Sequence, residues 1–300
     1  MTVLNSTHVH DLWDTQFWGP VTATLDWCEA NYQFSRYIAE LANTFSNLVT
    51  ILFASYGGWL AKNADLPPRY LAGWLGFALV GAGSFVFHAT LQYSAQLADE
   101  LPMIYVASYC CAVLCDTRPG HDITNTRTRA IITGLAVFNV IFTWAYAVYR
   151  NPVFHQVVFA SIMFTNAYRT WYVLSNSDPI AATAKFRIPV HDRRTIGSLF
   201  LTGALTFAFG FLIWNLDNAF CNTVTKWKQS IGWPAAFLLE GHSWWHVFTA
   251  IGTYLMLVGN TCRTVGVKDD FANYRMTYKW GVLPGIERIP QGHSATKKLQ

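Results

Sequence analysis

His242 and His246 stand one helical turn apart in the run Phe237-Leu-Leu-Glu-Gly-His242-Ser-Trp-Trp-His246-Val-Phe-Thr249. Residues i and i+4 share a helix face, so both imidazoles can point at one ion. His88 lies far upstream in a second apolar run. A bilayer tolerates ionisable side chains poorly, and those that persist there face a partner, a cavity or a metal. Three histidines with an open fourth position make the donor set of a catalytic zinc, whose bound water reaches a pKa of about 7. Asp99 is then a candidate general base and later acid. Ser84, one turn before His88, offers a hydroxyl to an oxyanion. Each also has a plain structural reading. Ser84 could be a small packing residue beside Gly81 and Gly83. Asp99 could favour a helix start through the dipole, or orient a histidine ligand. A lone histidine could simply bond a carbonyl in a core.

A second group of oxygen donors lies near the start of the chain, in Trp18-Gly19-Pro20 and then Asp26-Trp27-Cys28-Glu29-Ala30-Asn31-Tyr32. Carboxylates, an amide and backbone carbonyls are hard ligands of the kind calcium takes. An exposed acidic loop, with Asp26 capping a short helix, would account for the spacing equally well. Glu40 tilts the balance toward an ion, because a carboxylate entering an apolar helix needs a partner.

The elements that must hold these groups are those of a membrane protein. Hydrophobic residues make up 52% of the 300 and charged residues 13%, where ordinary globular chains carry about a quarter charged. The 13 tryptophans fit a chain with membrane interfaces. A net charge of +4, with no basic and aromatic interleaving, argues against a nucleic-acid partner. Met1 to Asp14 lack an apolar core, so no cleavable signal peptide is expected. Seven stretches are long and apolar enough to span, near 38–61, 69–93, 97–115, 130–148, 153–174, 195–216 and 234–258. The fold expected is an all-α seven-transmembrane helix bundle. Its parts are a segment 1–37, a spanning domain 38–259 and a polar tail 260–300.

Lys and Arg fall unevenly between the two sides. One side has Lys62, Arg69, Arg118, Arg127, Arg129, Lys185, Arg187, Arg193, Arg194 and the basic residues of the tail; the other has only Arg36, Arg150, Lys226 and Lys228. The positive-inside rule puts the C-terminus in the cytosol and the N-terminus in a lumen or outside. His88, Ser84, Asp99, His242 and His246 then fall at a common depth, near the lumenal side. That agreement favours a single metal site over scattered core histidines.

The set Trp18-Gly-Pro, Asp26-Trp-Cys-Glu29-x-Asn31-Tyr, Ser84-x-x-x-His88, Asp99 and His242-x-x-x-His246 resembles the alkaline ceramidases of the ER and Golgi. These are intramembrane zinc amidases in a superfamily with the progestin and adiponectin receptors. The resemblance implies zinc on His88, His242 and His246, with Ser84 and Asp99 catalytic. It implies calcium on Asp26, the Trp27 carbonyl, Glu29, Asn31 and Glu40, and a Cys28–Cys221 disulfide. Both cysteines fall on the side expected to be oxidising. Ala30 departs from relatives that carry Glu there, and a change of local charge rather than of binding is expected. The substrate implied is a ceramide-type lipid from the bilayer, cut to a sphingoid base and a fatty acid. Asn5-Ser6-Thr7 is a glycosylation sequon, and Lys297-Lys298-Leu-Gln300 resembles a dilysine ER-retrieval signal. Two other classes compete. A lipid-sensing receptor would share the triad, but the Asp-Trp-Cys-Glu run and a lumenal N-terminus favour the enzyme. A transporter should show broken helices or repeats, and neither is evident.

Overall fold

A computed structural model describes residues 16–177, 188–269 and 271–290. The sequon at Asn5, the Lys297-Lys298 pair, and Lys185 and Arg187 of the charge count lie outside them. Helices dominate: α1 (Leu41–Asn63), α2 (Pro68–Thr90), α3 (Tyr93–Cys115), α4 (Thr126–Tyr149), α5 (Pro152–Ser175), α6 (Val190–Ala219), the short α7 (Cys221–Ile231) and α8 (Gly241–Lys268). A helix therefore stands at each of the seven expected stretches. By length and composition, α2, α3, α4 and α6 are apolar enough to cross a membrane. Their outward residues suit that setting: Val140, Ile141 and Trp144 of α4 and Leu205 and Leu212 of α6 are exposed.

Three departures from the sequence reading have local causes. The last long helix begins at Gly241 rather than near residue 234, because Ala235–Leu239 forms a 3-10 turn after Gly232 and Pro234. It then runs to Lys268, whose ammonium meets Asp116 at 2.6 Å. The tail expected to be merely polar carries an antiparallel hairpin, β1 (Tyr274–Lys279) paired with β2 (Leu283–Arg288).

Helix ends follow their caps. Asn125 accepts the Thr128 N–H at the start of α4, and Asn151 accepts those of Val153 and Phe154 at α5, where Pro152 takes the first helical position. Helices α1 and α8 instead start under carboxylates supplied from elsewhere in the chain, with consequences for the site.

The chain divides into two compact units, one of residues 1–52, 77–103 and 206–251, the other of 53–76, 104–205 and 252–300. The second holds the hairpin, to which Tyr254 donates through its hydroxyl at the Pro284 carbonyl, 2.7 Å away. It also holds the Asp116 cluster, where Lys268, Arg69 and Thr128 converge on one carboxylate. The first unit holds every residue singled out for chemistry. Two of its helices meet closely at Gly83 of α2, where an added Cβ would stand 1.9 Å from the Ala98 carbonyl oxygen of α3. Only glycine lets the two helices come that close beside Ser84 and Asp99. Gly83→Ala should therefore cost about 1–3 kcal/mol or more, read as a lowered unfolding temperature in detergent.

Candidate metal centre

The described residues before α1, 16–40, are not helical. They fold as turns clipped to the end of α2 and the start of α3. Leu91 adopts a left-handed conformation (φ 50°), and its carbonyl accepts the N–H groups of Thr22 and Ala23. The backbone N–H of Ala39 and Glu40 donate to the carbonyls of Ala89 and His88, at 2.9 and 3.0 Å. The Thr24 N–H donates to the Gln96 side chain at 2.8 Å. These bonds bring Glu40 against His88.

His88 of α2 and His242 and His246 of α8 meet as a buried triad. One ligand nitrogen from each can be chosen so that all lie within 4.8 Å of one another. Ring centroids are 4.6 to 5.0 Å apart. Nδ1 of His88 is 2.5 Å from Glu40 Oε2, and Nδ1 of His246 is 2.7 Å from Ser46 Oγ, which itself donates to the Asn43 carbonyl. Both rings thus spend Nδ1 on the protein and leave Nε2 for an ion, the arrangement that fixes tautomer and orientation at metal sites. The Trp27 indole stacks on His242 at 3.9 Å and 17°. Three imidazoles, two of them with the second nitrogen held by the protein, fit a zinc-type ion.

Ser84 and Asp99 form a separate pair, the hydroxyl donating to the carboxylate, one turn of α2 from His88. Ser84 is buried and Asp99 partly so.

The oxygen donors before α1 gather in two places. Asp26 Oδ1 accepts from the Trp27 N–H and from Asn31 Nδ2, at 3.1 and 3.2 Å. Both Glu29 oxygens cap α1, taking the N–H of Ala42 at 2.6 Å and of Asn43 at 2.8 Å. Burial first, and then the Glu40 carboxylate, push Glu29 up to about 8 against the pull of those N–H groups. Asn31 Oδ1 and Glu40 Oε1 are buried with no hydrogen-bond partner. One unspent buried oxygen on an amide and one on a carboxylate fit a hard cation.

Cys28 and Cys221 are bonded to one another, joining the loop to the start of α7. Beside the disulfide lies a buried ion pair that the sequence reading did not isolate. Lys228 of α7 donates to Glu240 at 2.7 Å and to the Cys28 carbonyl at 3.1 Å. Asp217, in the last turn of α6, accepts the backbone N–H of Gly241 and His242. A signal was present for Asp217 and Glu240, each a charge inside or beside an otherwise apolar run, but not for Lys228, which stands in the polar α7. Ser46 carried no such signal.

Fold and triad together define a helical protein with a buried site able to hold a metal ion. A family model described as Ceramidase matches residues 19–288. The chain is 33% identical over 278 residues to alkaline ceramidase 3 of Mus musculus, covering 92% of this chain and 96% of that one. It is 34% identical over 286 residues to alkaline ceramidase YPC1 of Saccharomyces cerevisiae, covering 90% and 85%. Alkaline ceramidase of Arabidopsis thaliana is 28% identical over 280 residues, covering 91% and 95%. The chain belongs to the ceramidase family.

Removing one partner of a buried ion pair strands the other charge. Lys228→Met should therefore destabilise by about 3–5 kcal/mol, and adding Glu240→Gln should recover much of that loss. Thermal unfolding of the two variants measures both effects.

Proposed function

We propose that this protein is a multi-pass membrane amidohydrolase that cuts the amide of ceramide-type lipids to a sphingoid base and a free fatty acid. The buried triad, in a chain of the ceramidase family, carries the reading. His88, His242 and His246 would hold zinc. When bound, the ion supplies Lewis acidity toward a carbonyl and brings water within reach of deprotonation near neutral pH.

The chain's own residues then have distinct work. Asp99 takes the proton of the attacking water and returns it to the departing amine. Ser84 holds Asp99 in place and, on releasing that bond, turns its hydroxyl to the developing oxyanion. Glu40 and Ser46 keep their imidazoles in the ligating tautomer. Asp26, the Trp27 carbonyl, Glu29, Asn31 and Glu40 would hold calcium, a structural ion that neutralises the acidic loop. The unspent oxygens of Asn31 and Glu40 support that choice.

All seven long helices span in this reading. Residues 1–37 form a lumenal segment, 38–259 the catalytic spanning domain and 260–300 a cytosolic tail, in the endoplasmic reticulum. The asymmetry of Lys and Arg supports that orientation. Ceramide enters from the bilayer, which brings its amide to the triad without passing through water.

Alanine at His88, His242 or Asp99 should reduce release of sphingoid base from labelled ceramide to background while the protein still inserts. Full turnover in any of the three variants would overturn the assignment. Zinc binding without ceramide turnover in the wild type would instead favour a lipid-sensing protein. Asp26→Ala should weaken calcium binding by roughly tenfold or more and leave zinc content unchanged, measured by radiolabelled calcium uptake and metal analysis.

A further inference from the structure

A histidine that ligates zinc almost always gives its other ring N–H to a carboxylate, a carbonyl or a water. His88 has Glu40 and His246 has Ser46. His242 differs. Its Nδ1 is buried with no hydrogen-bond partner among the described residues.

Two acceptors at the same helix end are also unspent, Glu240 Oε1 and Asp217 Oδ1, and Glu240 is already committed to the Lys228 ammonium through its other oxygen. Asp217 accepts the backbone N–H of Gly241 and of His242 itself, yet its Oδ1 is buried and unpartnered. The carboxylate therefore lies at the peptide that bears the ring. Its approach is built into the fold: a Cβ on Gly241 would stand 2.6 Å from Asp217 Cβ and 2.9 Å from Oδ1. Any side chain at position 241 would push the carboxylate away. Capping alone does not call for this residue, because a neutral Asn or Ser satisfies helix N–H groups as well. A buried carboxylate costs more, and its surplus oxygen needs a second donor.

We infer that Asp217 is the positioning residue for His242, its free Oδ1 taking the Nδ1 proton directly or across one water. Nε2 is then left for the ion, as in the other two rings. Trp27 closes one face of the imidazole while Asp217 fixes its edge. One side chain on α6 thus sets both the start of α8 and the orientation of its first ligand. The inference rests on the zinc reading of the triad.

Asparagine separates the two roles. Asp217→Asn keeps one oxygen for the helix N–H groups but presents an amide NH₂, which cannot accept from Nδ1. Purified full-length variants in detergent should be compared by competition for zinc against a chromogenic chelator and by thermal unfolding of the zinc-free protein. Asp217→Asn should unfold close to wild type yet bind zinc ten- to hundredfold more weakly, with partial recovery in Asp217→Glu. Zinc affinity within about twofold of wild type would reduce Asp217 to a helix cap and overturn the inference, since losing such a partner costs tenfold or more. Should Asp217→Asn fail to fold, the structure of zinc-loaded wild type decides. Asp217, or a water it shares, at Nδ1 upholds the inference; any other acceptor there defeats it. Failure of the wild type to bind zinc would sink the triad reading itself, a distinguishable result.

Discussion

The hydrogen bond between His88 Nδ1 and Glu40 Oε2 is the constraint on which the rest of the site depends. It joins the end of α2 to the residue just before α1, and so ties a metal-capable ring to an acidic loop. Both partners are fully buried, where an imidazole or a carboxylate alone would be costly. Neither can be moved without stranding the other. The loop's clips onto α2 and α3 serve that bond: they bring the Glu40 backbone to the His88 carbonyl as well as its side chain to the ring.

The same device appears twice. Helix α1 begins after Glu40 and is capped by Glu29; helix α8 begins after Glu240 and is capped by Asp217. In each case the glutamate before the helix has a buried donor, His88 for one and Lys228 for the other. Carboxylates near helix N-termini are favoured by the unmet N–H groups and the dipole. Here that local preference places carboxyl groups around a set of histidines. Helix starts thereby supply the groups that orient the rings.

Much of this was legible in the sequence. The i, i+4 spacing of His242 and His246, and the rarity of charge in apolar runs, pointed to the triad. Seven helices were readable from apolar length alone. The boundary at Gly241 was not, because the preceding apolar residues continue the hydrophobic run while forming a 3-10 turn. Ser46 could not be foreseen: a serine on an apolar helix is common, and its role depends on which way α1 faces α8. Asp217 and Glu240 were visible as charges, but their partners are set by tertiary packing. The hairpin at 274–288 was hidden in a segment whose composition reads as a polar tail.

The disulfide carries a consequence for biogenesis. Cys28 and Cys221 are 193 residues apart, so most of the chain must be synthesised before the bond can close. Until then the loop that bears Asp26 and Glu29 is not tethered to α7, nor is Lys228 drawn to the Cys28 carbonyl. Maturation of the acidic loop is therefore a late event, reached only after α6 has emerged. A newly made copy would pass through a stage in which its helices have formed but its acidic loop is not yet joined to α7.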